Sequence, residues 1–145
     1  MKVVLQRVSE ASVSVDGRVT GSINAGYAAF IGIGAGDDEA AVEKMADKIK
    51  RLRLFADANG KTNLSIADVG GGLLIVSQFT LYADCRKGNR PSFTDAADPA
   101  AAERLYDYFV AYARGIFNDV AHGVFGADMQ VALVNDGPFT VVLEG

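Results

Sequence analysis

Apolar and polar side chains alternate with period two over the first 35 residues, the signature of strands with two unlike faces. Val3, Leu5 and Arg7 fall on one face, Val4, Gln6 and Val8 on the other. After a short interruption Val13 and Val15 resume the pattern. Asp16-Gly17 separates residues 12–15 from 18–23, and an Asp-Gly pair between two such runs predicts a hairpin. Residues 27–33 are an almost unbroken apolar run, as expected of a strand buried on both faces.

The period then changes. Between residues 39 and 54, Val42, Met45, Ala46, Ile49 and Leu52 recur at the spacing of one helix face. Asp37, Asp38 and Glu39 stand where the N-terminal dipole favours anions. Asn59-Gly60 marks a turn, and residues 73–81 form a second central strand rich in Leu, Ile, Val and Phe. Asp98 is placed as the N-cap of a second helix and Pro99 as its first residue, with Ala102, Leu105, Tyr106, Phe109 and Ala113 as its apolar stripe. Residues 129–134 and 139–143 alternate again and read as two strands joined by a turn at Asn135-Asp136-Gly137-Pro138. Strands outnumber helices and hairpins recur. The fold predicted is α+β: a mainly antiparallel, strongly curved, barrel-like sheet with two main helices packed on it, although a βαβ-containing topology would yield the same list of elements. At 145 residues, 50% hydrophobic and without linkers or repeats, the chain suits a single domain over 1–145.

Composition acts mainly by exclusion. A net charge of −4 and a pI of 4.9 argue against a protein that grips DNA or other long nucleic acid by bulk electrostatics, which needs a basic face. Local phosphate contacts stay open to Lys48, Lys50, Arg51 and Arg53 late in the first helix, and to Arg86, Lys87 and Arg90 in a loop. For both clusters the alternative is a solvated face. The lone Cys85 permits no internal disulfide and fits a reducing cytoplasm. The start, Met1-Lys2-Val3-Val4-Leu5-Gln6-Arg7, turns polar too early for a signal peptide, and no apolar run approaches the roughly 20 residues that cross a bilayer. One histidine and one cysteine leave zinc without a ligand set, so no metal and no cofactor are expected. His122 would serve a charge relay alone, and Gly123 and Gly126 beside it predict a turn. Gly32-Ile33-Gly34-Ala35-Gly36-Asp37 has the wrong spacing for a dinucleotide loop, and Asp57 follows the helix directly; a tight strand-to-helix turn is the better reading.

Two segments remain. Ser77-Gln78-Phe79-Thr80-Leu81 ends the most apolar strand with three polar residues in four positions, and a buried strand rarely carries such groups without a partner or a task. Strand alternation sends Ser77 and Phe79 to one face, Gln78 and Thr80 to the other. The second is Asn135-Asp136-Gly137-Pro138-Phe139-Thr140. Proline alone makes a cis peptide cheap, within about 0.5–1 kcal/mol of trans, and glycine before it removes the crowding Cβ. Gly137-Pro138 can therefore aim two consecutive carbonyls where an ordinary turn cannot.

Together these segments resemble the two signature motifs, S-Q-F-T-L and N-x-G-P-x-T, of the D-aminoacyl-tRNA deacylase (D-tyrosyl-tRNA deacylase) family. Gln6-Arg7-Val8, Asn63-Leu64-Ser65, residues 86–93 and Phe125-Gly126-Ala127-Asp128-Met129 are similar to the family too, in the same order along nearly the whole chain. Thr62, where the pattern has methionine, and Ala121-His122 depart from it. The resemblance implies a homodimer that hydrolyses the ester between a D-amino acid and the terminal adenosine of tRNA. It implies that Gly137-Pro138 is cis and enters the partner's pocket, where main-chain oxygens exclude L-substrates. Glycyl-tRNA, such as glycine mischarged on tRNA-Ala, would be the natural leak. Arg7 would hold the Gly-Pro carbonyls by a forked set of hydrogen bonds, the alternative being an ordinary strand-edge arginine. Ser77, Phe79, Phe125 and Met129 would bind substrate, the last three against the adenine or else as plain core. Arg86, Lys87 and Arg90 would meet acceptor-stem phosphates. Thr80 is the nucleophile candidate, with Gln78 or the amides of Phe79 and Thr80 stabilising the oxyanion, but no base is visible to activate it. The favoured alternative has the tRNA's own ribose hydroxyl orient or activate water. Two rival readings are a small Thr80-dependent esterase acting on other acyl compounds and a non-catalytic dimeric nucleotide-binding module.

Overall fold

In a computed structural model that describes residues 1–145, the first strand, β1 (Lys2–Val15), changes its apolar phase midway. Val3 and Leu5 join the larger core cluster, whereas Val8, Ala11 and Val13 join a smaller one on the other face. A strand switches faces in this way only where its pairing slips. The register against the last strand, β8 (Gln130–Glu144), shifts between Gln6 and Val8 and again before Glu10. Arg7 sits at the switch.

Asp16 (φ 49°) and Gly17 (φ 77°) make the predicted hairpin and return the chain as β2 (Arg18–Ile23). β3 (Gly26–Gly32) runs antiparallel to the first half of β1, and β8 follows the opposite edge of β1 along its length. β6 (Gly72–Ser77) and β7 (Asp119–His122) continue the sheet in parallel beyond β3. Parallel neighbours need long crossovers, and these carry the helices: α1 (Glu39–Arg51) between β3 and β6, and α2 (Pro99–Ile116) between β6 and β7. A small hairpin, β4 (Phe55–Ala56) with β5 (Thr62–Leu64), sits in the first crossover. Contacts between β2 and β7 curl the sheet into a nearly closed barrel. The curved sheet is as expected, antiparallel at β1–β2, β1–β3 and β1–β8, with a parallel wing that hairpin signals do not announce.

The central strands are buried on both faces. Tyr27, Ala29, Ile31, Leu73 and Ile75 face the helices, while Ala28, Leu74 and Val76 face the smaller cluster. β3 and β6 start in near contact: a Cβ on Gly26, which has φ 157°, would lie 1.9 Å from the Gly72 carbonyl oxygen. Asp38 caps α1 by accepting the Ala41 N–H at 2.8 Å, and Asp98 caps α2 at Ala101 with Pro99 in the first turn. α1 stops at Arg51 rather than 54, because Leu52 turns extended. Asp37 accepts the Gly34 N–H and the Met1 ammonium, each at 2.6 Å, so the Gly32–Asp37 segment is the tight turn its spacing predicts. The helices run side by side in parallel, joined by Glu39–Arg104, Glu43–Tyr108 and Asp47–Tyr112. No helix is long and apolar enough to cross a membrane.

Two further expectations change. Residues 129–134 and 139–143 are not two strands about a turn but one strand, because both stretches pair with β1. His122 closes β7 instead of sitting in a turn, its Nδ1 2.7 Å from the Gly123 carbonyl oxygen.

Candidate functional site

β6 ends at Ser77, four residues earlier than its apolar composition predicts. The Gln78 N–H still donates to the Ile31 carbonyl at 2.7 Å, and residues Phe79–Tyr82 then wind into a 3-10 turn, with the Ala83 N–H on the Thr80 carbonyl. The strand alternation expected for Ser77 to Thr80 is therefore replaced by a helical turn. Gln78 and Thr80 come together rather than facing the same way down a strand: the Gln78 amide donates to Thr80 Oγ1. That is the hydroxyl's hydrogen bond within the chain, and an amide N–H cannot take its proton.

A cleft of about 470 Å³ opens beside this turn. One wall is Ser77, Gln78 and Phe79, and the other is Phe125, Gly126, Ala127 and Met129, with Pro99 and Ala102 of α2 behind. Phe79 stands on the rim, 57% exposed, its ring edge-on to Phe93 at 5.0 Å. Phe125 packs 5.8 Å from Tyr106, and the buried Tyr106 hydroxyl donates to the Ile75 carbonyl at 3.0 Å. Burial pushes that phenol well above its ordinary pKa, so it stays a donor. Gly123 makes room for Met129, since a Cβ there would come 2.5 Å from the sulfur. Tyr106 and Gly123 were not legible as site supports, since they read as a core and a turn residue; Phe93 lies in a stretch similar to the family but carries no role of its own in the sequence.

The second motif lies elsewhere on the same chain. Gln6 pairs with Thr140 and Val8 with Asn135, so Asp136, Gly137, Pro138 and Phe139 all stand opposite Arg7. The result is an exposed bulge, in which the Gly137-Pro138 peptide is cis. Asn135 laces its base: Nδ2 donates to the Arg7 carbonyl at 2.9 Å and to the Phe139 carbonyl at 3.0 Å, and Oδ1 accepts from Thr140 Oγ1 at 3.2 Å. Arg7 braces it from below. Its Nε donates to the Asp136 carbonyl at 3.1 Å, its Nη1 to the Leu54 carbonyl at 2.6 Å, and its guanidinium lies 4.8 Å from the Phe139 ring centre. The brace thus grips Asp136, the residue before the Gly-Pro pair. Neither Gly137 nor Pro138 lines the cleft of the same chain.

The third group is the loop after the 3-10 turn, pinned by a bridge between Asp84 and Ser92. Arg86 donates to both carboxylate oxygens of Asp84, at 2.8 and 2.7 Å, and this fork holds the carboxyl below its usual range. Lys87 and Arg90 are exposed in the same loop. The structure thus gathers Ser77, Gln78, Phe79, Phe125 and Met129 around one cleft, leaves Thr80 outside the lining but hydrogen-bonded to Gln78, and sets Arg7, Gly137 and Pro138 apart.

A model of the family described as D-Tyr-tRNA(Tyr) deacylase matches residues 4–144. The chain belongs to that family. A D-aminoacyl-tRNA deacylase of Aeromonas hydrophila subsp. hydrophila is 55% identical over 144 residues, 99% of each chain. Another, of Desulfitobacterium hafniense, is 56% identical over 99% of this chain and 97% of its own. Among solved structures, the c-Myc DNA Unwinding Element Binding Protein has the same fold, with a TM-score of 0.94 and 40% identity, over 100% of this chain and 99% of that one. Both signature motifs of the deacylase family thus lie within the matched span, one at the cleft and one in the bulge.

Proposed function

We propose that the chain hydrolyses the ester joining a D-amino acid to the terminal adenosine of tRNA, as a homodimer in which the bulge of one subunit completes the cleft of the other. The observation that carries this reading is the division of the two motifs between places that a single chain does not bring together. Bringing both to one substrate takes a second copy, and a twofold axis would supply the pair reciprocally.

The apolar cleft with Phe79 at its rim suits an adenine, whose face stacks without charge. The polar end, Ser77 to Thr80, then meets the ester. L- and D-aminoacyl groups contain the same atoms, so a filter that accepts many D side chains reads the arrangement about Cα. A braced main-chain bulge does this by occupying the volume an L side chain needs, leaving the D side chain outside and unread. Glycine has no side chain to exclude, and glycyl-tRNA passes. Water attacks the ester carbonyl, the bond to the ribose oxygen breaks, and a proton moves from the water to that oxygen, giving free D-amino acid and free tRNA. With Thr80 held by an amide and no base beside it, the neighbouring ribose hydroxyl is the better group to orient the water. Positioning of this kind supplies several kcal/mol, in favourable cases about 7–11.

The deciding experiment incubates the purified protein with matched D- and L-aminoacyl-tRNAs, glycyl-tRNA and simple acyl esters. Release from the D and glycyl forms alone supports the reading. Equal release from both mirror images, release from simple esters only, or binding without turnover each overturns it.

A further inference from the structure

α1 presents a surface that neither the cleft nor the bulge uses. Its exposed positions beyond Ala40 are Lys44, Lys48 and Arg51. At 3.6 residues per turn these three fall within an arc of about 60°, turned away from the buried Val42, Met45, Ala46 and Ile49. None has a carboxylate within ion-pair distance, because the acids of α1 are turned to α2: Glu39 to Arg104, Glu43 to Tyr108 and Asp47 to Tyr112. Lys44 and Lys48 stand one turn apart, a like-charge pair that destabilises the helix bearing it. The C-terminal dipole accounts for Lys48 and Arg51 in the last turn but not for Lys44, which lies further back. On a chain of net charge −4 this row concentrates unpaired positive charge. It borders a groove of about 480 Å³ between α1 and the end of β8, where the one acidic side chain, Glu144, lies 3.9 Å from Lys2. Arg86 of the loop, by contrast, is held by Asp84.

We propose that Lys44, Lys48 and Arg51 form a phosphate track that holds the duplex body of the RNA whose acylated end enters the cleft, an inference that rests on the tRNA reading above. Lys44 and Lys48 lie about 6 Å apart along the helix axis, and side chains that long meet sugar-phosphate backbone without reading bases. The track adds affinity and salt dependence but takes no part in the chemical step.

The test compares the whole protein with the triple variant Lys44→Gln, Lys48→Gln, Arg51→Gln. Binding of deacylated tRNA is followed by fluorescence anisotropy from low to physiological salt. Each lost phosphate contact removes about 0.7–0.9 from the slope of log K against log salt, so the slope is expected to fall by about 2–3. KM for D-aminoacyl-tRNA rises by about tenfold or more while kcat holds. Hydrolysis of a D-aminoacylated CCA trinucleotide, which has no duplex, stays unchanged. An unchanged slope overturns the track, as does an equal loss on the trinucleotide. If the unaltered protein releases no D-amino acid, the functional reading fails, yet the slope with deacylated tRNA still decides the track.

Discussion

Replacing Arg7 by lysine keeps a positive charge and removes the fork. In the native chain one guanidinium reaches the Leu54 carbonyl at 2.6 Å and the Asp136 carbonyl at 3.1 Å while lying over Phe139. An ammonium reaches one of these carbonyls, not both. A hydrogen bond to a charged group is worth about 1.5–3 kcal/mol, and the stacking about 0.5–1. The Arg7 side chain is 15% exposed, so little water replaces what is lost. The expected cost of Arg7→Lys is about 2–3 kcal/mol, which for a chain of this size lowers the thermal midpoint by about 5–12 °C. The bulge loses its brace at Asp136, and the ratio of D- to L-aminoacyl-tRNA hydrolysis falls, by up to about 100-fold if the whole cost is expressed there. Calorimetry and paired D/L deacylation rates measure the two effects. If the midpoint falls but the ratio stays within about twofold, Arg7 is only structural and the link from brace to selectivity is wrong. If neither moves, the fork does not hold the bulge.

Three further outcomes follow from the same geometry. Thr80→Ala keeps substantial deacylation in single-turnover assays, and a loss of about four orders of magnitude would restore the nucleophile. Asp84→Asn frees Arg86 from its two carboxylate contacts, so tRNA binding strengthens at low salt and the salt slope steepens by about one. Gly26→Ala places a Cβ against the Gly72 backbone, where no flexible side chain can yield; it costs more than the about 1–3 kcal/mol of ordinary overpacking, read as a large drop in thermal midpoint or loss of soluble protein.

Much of the fold is written in local chemistry that acts at short range. The Asp16-Gly17 hairpin, the acids that open α1, the Asp98 cap, the stripes of α1 and α2 and the doubly buried β3 are legible because each depends on residues within a turn or two. The family is legible too, since its motifs are contiguous. The parallel wing is not: whether β6 lies beside β3 or elsewhere depends on a crossover that burying the helices selects. Nor does alternation survive at Ser77–Thr80, where chain reversal into a helical turn wins over the β period.

What the sequence alone determined was therefore the inventory: an acidic chain with one histidine and one cysteine, two amphipathic helices, and two polar motifs of a known family. Only the tertiary structure decided how those motifs are used. It made one strand of what reads as two, put four residues opposite Arg7, and gave Asn135 the lacing role, because pairing with β1 is long-range and leaves no local mark. It also separated the bulge from the cleft and left one cationic edge of α1 unpaired, both consequences of which surfaces the packed helices and sheet consume.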